Sequence, residues 1–393
     1  MGARVCAGPG PQRYAGCVMR AWLAVLLLVS SPAWADYFPY VKHGPVITGV
    51  THAEAWVAWY TSHYQGTPSG ADSCYLESLT GTPNATTPTL LVTPAVNGES
   101  VFQDPACDVF HQVHLSGLTP GTAYTFELDK PDESGGSATG GFITAPAPGA
   151  SAKFSFIVFG DNRNNPWPET DTRPDHEAVV GAILARHADA AFVVNGGDYA
   201  LNVVTVSGDD RGYTEFFDVE RALLATHPLV PAMGNHDSID TTFYDGLMSA
   251  GRFAGSRHPY YWSFDWGQVH LAVLDTFEGA TTLTSGREPA LSDEQAAWLA
   301  TDLAAAAGPG RLLFLVTHQG PFSYGTDAHG GSPDVQAKVI PLMLQYGVHA
   351  ILAGHDHFYE RGRESCIDFL VVGAGGAPLY GPDPTAPGLF AAA

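Results

Sequence analysis

At 393 residues the chain is too long for one ordinary core, so two domains are the default expectation. Its 18 basic and 40 acidic residues leave a net charge of −22, a surface that repels polyanions and argues against nucleic acid as a partner. Hydrophobic residues make up 45%, as in globular proteins, and 44 Gly and 29 Pro without collagen periodicity indicate turns rather than a fibre.

Residues 1–35 read as an export leader. Arg4, Arg13 and Arg20 precede an apolar run over residues 21–29, and Ala33-Trp34-Ala35 offers a small-x-small cleavage site before Asp36. The run is shorter than the roughly 20 apolar residues a membrane span requires. The mature chain is therefore expected to be secreted or periplasmic, with no stable membrane insertion. Met19 is a candidate for the true start. The leader would take three arginines and no acid with it, leaving 15 basic against 40 acidic residues. A small anionic substrate is compatible with that charge if a metal centre reverses the field locally. Cys6 and Cys17 leave with the leader. Cys74 and Cys107 could pair in an oxidising compartment or persist as two buried thiols. Cys366 is expected to be buried in the strand-like region Ile367–Val372. Asn84-Ala85-Thr86 matches a glycosylation acceptor.

Residues 36–146 read as an all-β module. Alternating runs at 55–60 and 109–115 suit half-buried strands separated by Gly, Pro, Asn and Ser turns. Leu118-Thr119-Pro120-Gly121 turns a corner and Tyr124 opens the next strand, an arrangement that resembles the fibronectin type III corner, where a Tyr packs back on its loop. Phe142-Ile143-Thr144 is expected to be the last strand. Residues 146–152 make a short linker.

Residues 153–393 alternate strand and helix patterns. Five apolar runs, at 154–159, 191–195, 228–233, 312–316 and 349–353, each stop at a polar cluster. Helical patterns lie at 175–187, at 292–307 (opened by Ser292 and Gln295 in capping-box spacing) and at 334–346. This alternation predicts an α/β domain with the polar clusters at the carboxyl ends of its strands. Asp161 to Asp198 and Asp198 to Asn235 both span 37 positions, which fits two β-α-β units of similar length; the flanking residues do not repeat.

Each strand end delivers Asp, Asn or His, the donors that di- and trivalent cations prefer, and Gly precedes most of them, where the backbone must turn sharply. Gly160-Asp161, Gly197-Asp198, Gly234-Asn235-His236-Asp237, Thr317-His318 and Gly354-His355-Asp356-His357 together resemble the metal-binding blocks of calcineurin-like metallophosphoesterases. Phe358-Tyr359-Glu360-Arg361, the stretches at 261–267 and 373–378, and the preceding fibronectin-like module are similar to the purple acid phosphatases. The resemblance covers nearly the whole mature chain. It implies two packed mixed β-sheets flanked by helices. It also implies a centre of two metal ions (Fe, Zn or Mn) that hydrolyses small phosphate esters, most simply monoesters, with a metal-bound hydroxide. Residue by residue it implies that Asp198 bridges the metals, that Asn235, His318 and His355 complete one site, and that Asp161 and His357 hold the other. His236 would be the general acid, its ring oriented by a hydrogen bond to Asp237.

The chain departs from these families at the first site. Arg163 stands where calcineurin-like enzymes usually have a metal-binding His, and Leu201 where purple acid phosphatases have a Tyr; Tyr199 is two positions too early to replace it. Tyrosinate colour is thus not expected. Arg163 suits a phosphate clamp as well as a structural pairing with an acid. His329, in a Gly-rich loop after His318, is a candidate substrate contact. His176 and His270 read as structural, Glu360 and Arg361 as supports of the last metal loop, and Trp167-Pro168 as core or substrate rim. The chain also ends sooner after its Gly-rich block than the resembled family does. Two alternatives remain: a phosphodiesterase or nucleotidase of the same fold, and a non-catalytic exported binding protein with a metal-stabilised core. A general acid at His236 has a use only in the enzymes.

Overall fold

The structure, a computed structural model, describes residues 40–392 except 62–88, 105–109, 132–135, 164–172, 202–210, 240, 250–257, 279–289, 327, 382 and 387. The leader, Cys74, Cys107, Asn84 and Trp167-Pro168 fall outside the described residues.

The first seven strands are β1 (Val41–Thr48), β2 (Glu54–Thr61), β3 (Thr89–Val96), β4 (Glu99–Gln103), β5 (Phe110–Ser116), β6 (Ala123–Pro131) and β7 (Ser137–Ile143). They form two facing layers, β5-β2-β1 and β4-β3-β6-β7. Alternation supplies the core between them: Ala55, Val57 and Trp59 of β2 face Leu90 and Val92 of β3 and Tyr124, Phe126 and Leu128 of β6. The corner takes the expected form, with the Thr119 amide donating to the Tyr124 hydroxyl oxygen at 3.0 Å. The last strand starts earlier than the sequence indicates and ends at Ile143.

The remaining elements are β8 (Ile157–Phe159), α1 (Arg173–Arg186), β9 (Val193–Asn195), α2 (Arg211–Leu224), β10 (Leu229–Pro231), β11 (Trp262–Trp266), β12 (Val269–Val273), α3 (Asp293–Ala306), β13 (Leu312–Thr317), α4 (Pro333–Lys338), α5 (Ile340–Tyr346), β14 (Ala350–Ala353), β15 (Tyr359–Glu364), β16 (Ile367–Val372) and β17 (Leu389–Ala392). Parallel strands β10-β9-β8 extend the β5-β2-β1 layer into one six-stranded sheet, joined where Thr48 of β1 pairs with Leu229 of β10. A seven-stranded mixed sheet, β11-β12-β13-β14-β16-β15-β17, packs against it. The period of two separates the faces. Phe314 and Val316 of β13 turn toward the first sheet with Phe192, Val194 and Phe264, while Leu313 and Leu315 turn outward under α3, α4 and α5. On the other side Val180 and Ile183 of α1 and Leu223 of α2 cover Phe159 and Val193.

Helix α3 begins where its cap predicts: the Ser292 hydroxyl accepts from the Gln295 amide at 3.0 Å. The single helix expected at 334–346 is instead two, α4 and α5, meeting at Val339. Pro341 has no amide to continue the ladder and starts a new helix. Helix α2 carries no cap signal that announced it; Tyr213, Phe216, Phe217, Glu220, Leu223 and Leu224 form its buried face. Cys366 is exposed rather than buried. With Ser365 it forms a two-residue hairpin between β15 and β16, both at positive φ (52° and 64°), and such a turn projects its residues away from the sheet. No helix among the described residues is long and apolar enough to cross a membrane.

Candidate metal centre

Five parallel strands end on the same side of the two sheets: β8 before Asp161, β9 before Asp198, β10 before Asn235, β13 before His318 and β14 before His355. The turns that follow are tight. Asp161 (φ 59°), Asp198 (φ 59°) and His355 (φ 71°) hold left-handed backbone that residues with a Cβ seldom adopt. The loops also touch through their glycines. A Cβ on Gly197 would lie 2.7 Å from the Gly234 nitrogen, and one on Gly354 would lie 2.5 Å from Asp161 Oδ2. Only bare backbone lets the strand ends approach so closely.

The six side chains expected to bind metal meet in this one pocket. Asp161, Asp198 and His318 are buried, and their donor atoms lie within 4.8 Å of one another. His318 Nε2 stands 3.4 Å from Asp198 Oδ1, 3.0 Å from Asn235 Oδ1 and 3.1 Å from His355 Nδ1. His357 Nε2 stands 3.6 Å from Asp161 Oδ1. Backbone groups hold these side chains from outside. His318 Nδ1–H donates to the Gly196 carbonyl at 2.7 Å and His357 Nδ1–H to the Pro378 carbonyl at 2.7 Å. The His355 amide donates to Asp161 Oδ2 at 2.9 Å, and the His236 amide to Asp198 Oδ1 at 3.0 Å. The imidazoles of His318 and His357 are thereby fixed with the other nitrogen facing inward.

That arrangement fits cations. With Nδ1–H of His318 committed outward, its Nε2 lone pair meets carboxylate and carboxamide oxygens, and acceptors facing acceptors repel unless a positive charge sits among them. The chain's own electrostatics show the same need. Burial opposes ionising His318, yet Asp198 and Asp161 outweigh it and push the imidazole up to about 9. Burial likewise opposes ionising Asp198, but His318, His236 and Arg163 hold it well below the usual range. Burial, reinforced by Asp198 although opposed by His318, lifts Asp161 well above that range. His357 is lowered to about 4 by burial and by Arg163, and burial likewise lowers His355 well below its usual value.

His236 points into the pocket from the β10 loop. Nδ1 bonds the Leu201 carbonyl at 2.9 Å and Nε2 lies 3.8 Å from Asp198 Oδ2. The expected hydrogen bond to Asp237 does not orient it. Asp237 turns the other way and accepts from the amides of Asp198 (2.7 Å), Gly234 (3.0 Å) and Tyr199 (3.1 Å), so it secures the strained loop that carries Asp198. Tyr199 is buried with its hydroxyl on the Ala232 carbonyl at 2.9 Å, outside the pocket. Arg163 lies at the rim, Nε 3.9 Å from Asp198 Oδ2. The ring of His329 lies 4.4 Å from that of His355.

The sequence did not announce two residues of this pocket. Tyr380 stacks on His357 at 4.3 Å and 14°, and Phe277 leans on His318 and His355 at 5.6 and 5.7 Å. Neither belongs to a strand-end cluster, and no local pattern marks a loop residue that folds back over a distant strand end. Of the residues read as structural, His176 pairs with Glu220 at 3.0 Å and His270 with Asp265 and Asp302, while Glu360 accepts from the Tyr324 amide at 3.0 Å, in the loop after β13 rather than in the last metal loop. Arg361 lies over Phe390.

Compared with known proteins, residues 154–359, just over half of the chain, match the calcineurin-like phosphoesterase family. An uncharacterized Mycobacterium tuberculosis protein is 25% identical over 78% of this chain and 59% of its own length. Purple acid phosphatase 13 of Arabidopsis thaliana is 24% identical over 82% of this chain and 67% of its own. The chain thus spans about three fifths to two thirds of these relatives. In fold it is similar to the purple acid phosphatase PPD1 of yellow lupin, with a TM-score of 0.63 and 18% identity over 91% of this chain and 68% of that one.

Proposed function

Since the chain belongs to the calcineurin-like phosphoesterase family, we propose that it is an exported hydrolase of small phosphate monoesters working with two bound metal ions. The observation that carries this reading is the convergence of Asp161, Asp198, Asn235, His318, His355 and His357 from five strand ends on one pocket, with Asp198 between the two groups of donors. Asn235, His318 and His355 would hold one ion, Asp161 and His357 the other, and Asp198 both. Fe, Zn and Mn all suit this donor set. When bound, such a pair neutralises phosphoryl oxygens and acidifies water.

The chain's own groups do the rest. The carbonyls of Gly196 and Pro378 fix the tautomers of His318 and His357, so that each presents Nε2 inward. The Leu201 carbonyl does the same for His236, so that Nε2 faces the pocket; burial lowers the imidazole, opposed by Asp198, and in its protonated form Nε2–H would protonate the departing ester oxygen. Arg163 offers its guanidinium to the phosphoryl group from the rim. Residues 1–35 would direct export.

The test is turnover of p-nitrophenyl phosphate against bis(p-nitrophenyl) phosphate by purified protein, with metal analysis on the same sample. Preferential monoester hydrolysis with about two metals per chain is expected. A protein that binds metal and hydrolyses neither ester would instead be the non-catalytic binding protein, and one that prefers the diester would be a phosphodiesterase.

A further inference from the structure

The loop after β16 returns across the pocket and delivers Tyr380. Its position is determined twice: the Tyr380 amide donates to the His357 carbonyl at 3.0 Å, and its ring stacks on the His357 imidazole at 4.3 Å and 14°. The hydroxyl thereby reaches past the donor cluster to the groups at the pocket rim. His329 Nε2 lies 3.3 Å from it, and the positive charge of Arg163 is close enough to act on it. His329 is itself secured, its amide donating to Asp356 Oδ1 at 2.7 Å and its ring lying 4.4 Å from that of His355.

The chemistry of this trio is one-sided. Arginine only donates, and a phenol hydroxyl can donate its proton to a charged oxygen. Arg163 Nε is buried and has no hydrogen-bond partner. His329 Nε2, at 3.3 Å from the Tyr380 hydroxyl, adds a further polar group. Polar side chains from three separate loops converge beside the pocket, with Asp198 Oδ2 3.9 Å from Arg163 Nε and Asp356 Oδ1 2.7 Å from the His329 amide. Such a rim suits an oxyanion.

We propose that Tyr380, with Arg163 and His329, grips one non-bridging oxygen of the substrate phosphoryl group and so selects monoesters over diesters. The inference rests on the phosphoesterase reading given above. A monoester presents three non-bridging oxygens and a diester two; the grip engages the third, which a diester has replaced with a second ester group. Tyr380 is then a substrate-binding residue that no strand-end motif contains.

The experiment compares metal-loaded wild type with Tyr380→Phe, which keeps the ring on His357 and removes only the hydroxyl. Binding of inorganic phosphate is measured by calorimetry, metal content by elemental analysis, and kcat/KM with p-nitrophenyl phosphate and its bis-ester. A hydrogen bond to a charged oxygen predicts phosphate affinity lowered about tenfold. The monoester-to-diester ratio should fall by a similar factor, with metal content unchanged. Equal phosphate affinity and an equal ratio in the two proteins would overturn the grip. Loss of metal from Tyr380→Phe would also overturn it, since the hydroxyl would then serve the metal site. The two readings fail separately. A wild type that hydrolyses no ester, while the variant still binds phosphate more weakly, removes the enzyme and leaves the grip. An active wild type with an unaltered variant does the reverse.

Discussion

Two clusters of histidine and carboxylate lie in this molecule, and the same residue types serve opposite ends in them. Around His270 both ring nitrogens have carboxylate partners. Asp265 bonds Nδ1 at 2.9 Å, Asp302 bonds Nε2 at 2.8 Å, the Ser263 hydroxyl donates to Asp302 at 2.6 Å, and Arg311 pairs with Asp265. The network closes on itself and ties β11, β12 and α3 to the start of β13. Around Asp198 the outward nitrogens and oxygens are met by backbone groups, while the inward ones face one another as acceptors. Hydrogen-bond closure, rather than composition, separates a structural cluster from a reactive one.

The comparison breaks most visibly at Asp198. Asp198→Ala should lose both metals and all ester hydrolysis, whereas Asp302→Ala should keep both and lose stability. Metal content that survives in Asp198→Ala would refute its place between the two ions. His236→Ala should lose ~10²–10⁴-fold in kcat while retaining metal by elemental analysis. A variant that loses metal together with activity would make His236 a ligand.

Asp237 sharpens the contrast, because it is a carboxylate of the first cluster with the closed bonding of the second. Replacing it with Ala leaves three buried amides without an acceptor, which should cost about 3–5 kcal/mol of stability and be read from urea unfolding. Since Asp237 does not bond the His236 ring, its loss should act through the Asp198 loop and lower metal affinity. If the carboxylate worked through His236, Asp237→Ala would instead leave metal affinity intact and cost nothing further in kcat once His236 is Ala.

These clusters were unequally legible in the sequence. The donors at 161, 198, 235, 318, 355 and 357 could be read because each follows its strand within a few residues, and a parallel sheet brings such ends together. His270 could be set aside because it interrupts an apolar strand with no glycine turn after it. Asp237 was misread since adjacency in sequence does not make side chains face each other: the ring of His236 enters the pocket and the next carboxylate turns beneath the loop. Tyr380 and the Leu201 carbonyl were not legible at all, because their positions depend on the return path of long loops, which neither periodicity nor caps encode. The exposure of Cys366 likewise follows from a hairpin turn with both central residues at positive φ, in a Ser-Cys pair that lacks the usual Asn-Gly signal.

The smallest effect concerns the closed cluster alone and is a matter of pH. His270 is 5% exposed. Burial disfavours its charged form, but hydrogen bonds and charge from Asp265 and Asp302 outweigh that and raise the imidazole from 6.5 to about 9. Arg311 faces the same network through Asp265, which burial would raise but which His270 and Arg311 hold below the ordinary carboxylate range. A histidine raised on folding stabilises fully below its unfolded value, and the contribution is lost as pH climbs through the folded value. The depressed Asp265 works at the other end, its contribution present above the unfolded carboxylate value and lost as pH falls through the folded one. The network is therefore strongest from roughly pH 4 to 6.5. Between pH 6.5 and about 9 the chain should lose on the order of 2–4 kcal/mol from His270. Urea unfolding at a series of pH values reads this directly, and His270→Gln should flatten that part of the curve without altering metal content. An identical pH slope in wild type and His270→Gln would mean that the imidazole is not charged between its two carboxylates, and the contrast with the Asp198 cluster would lose its structural half.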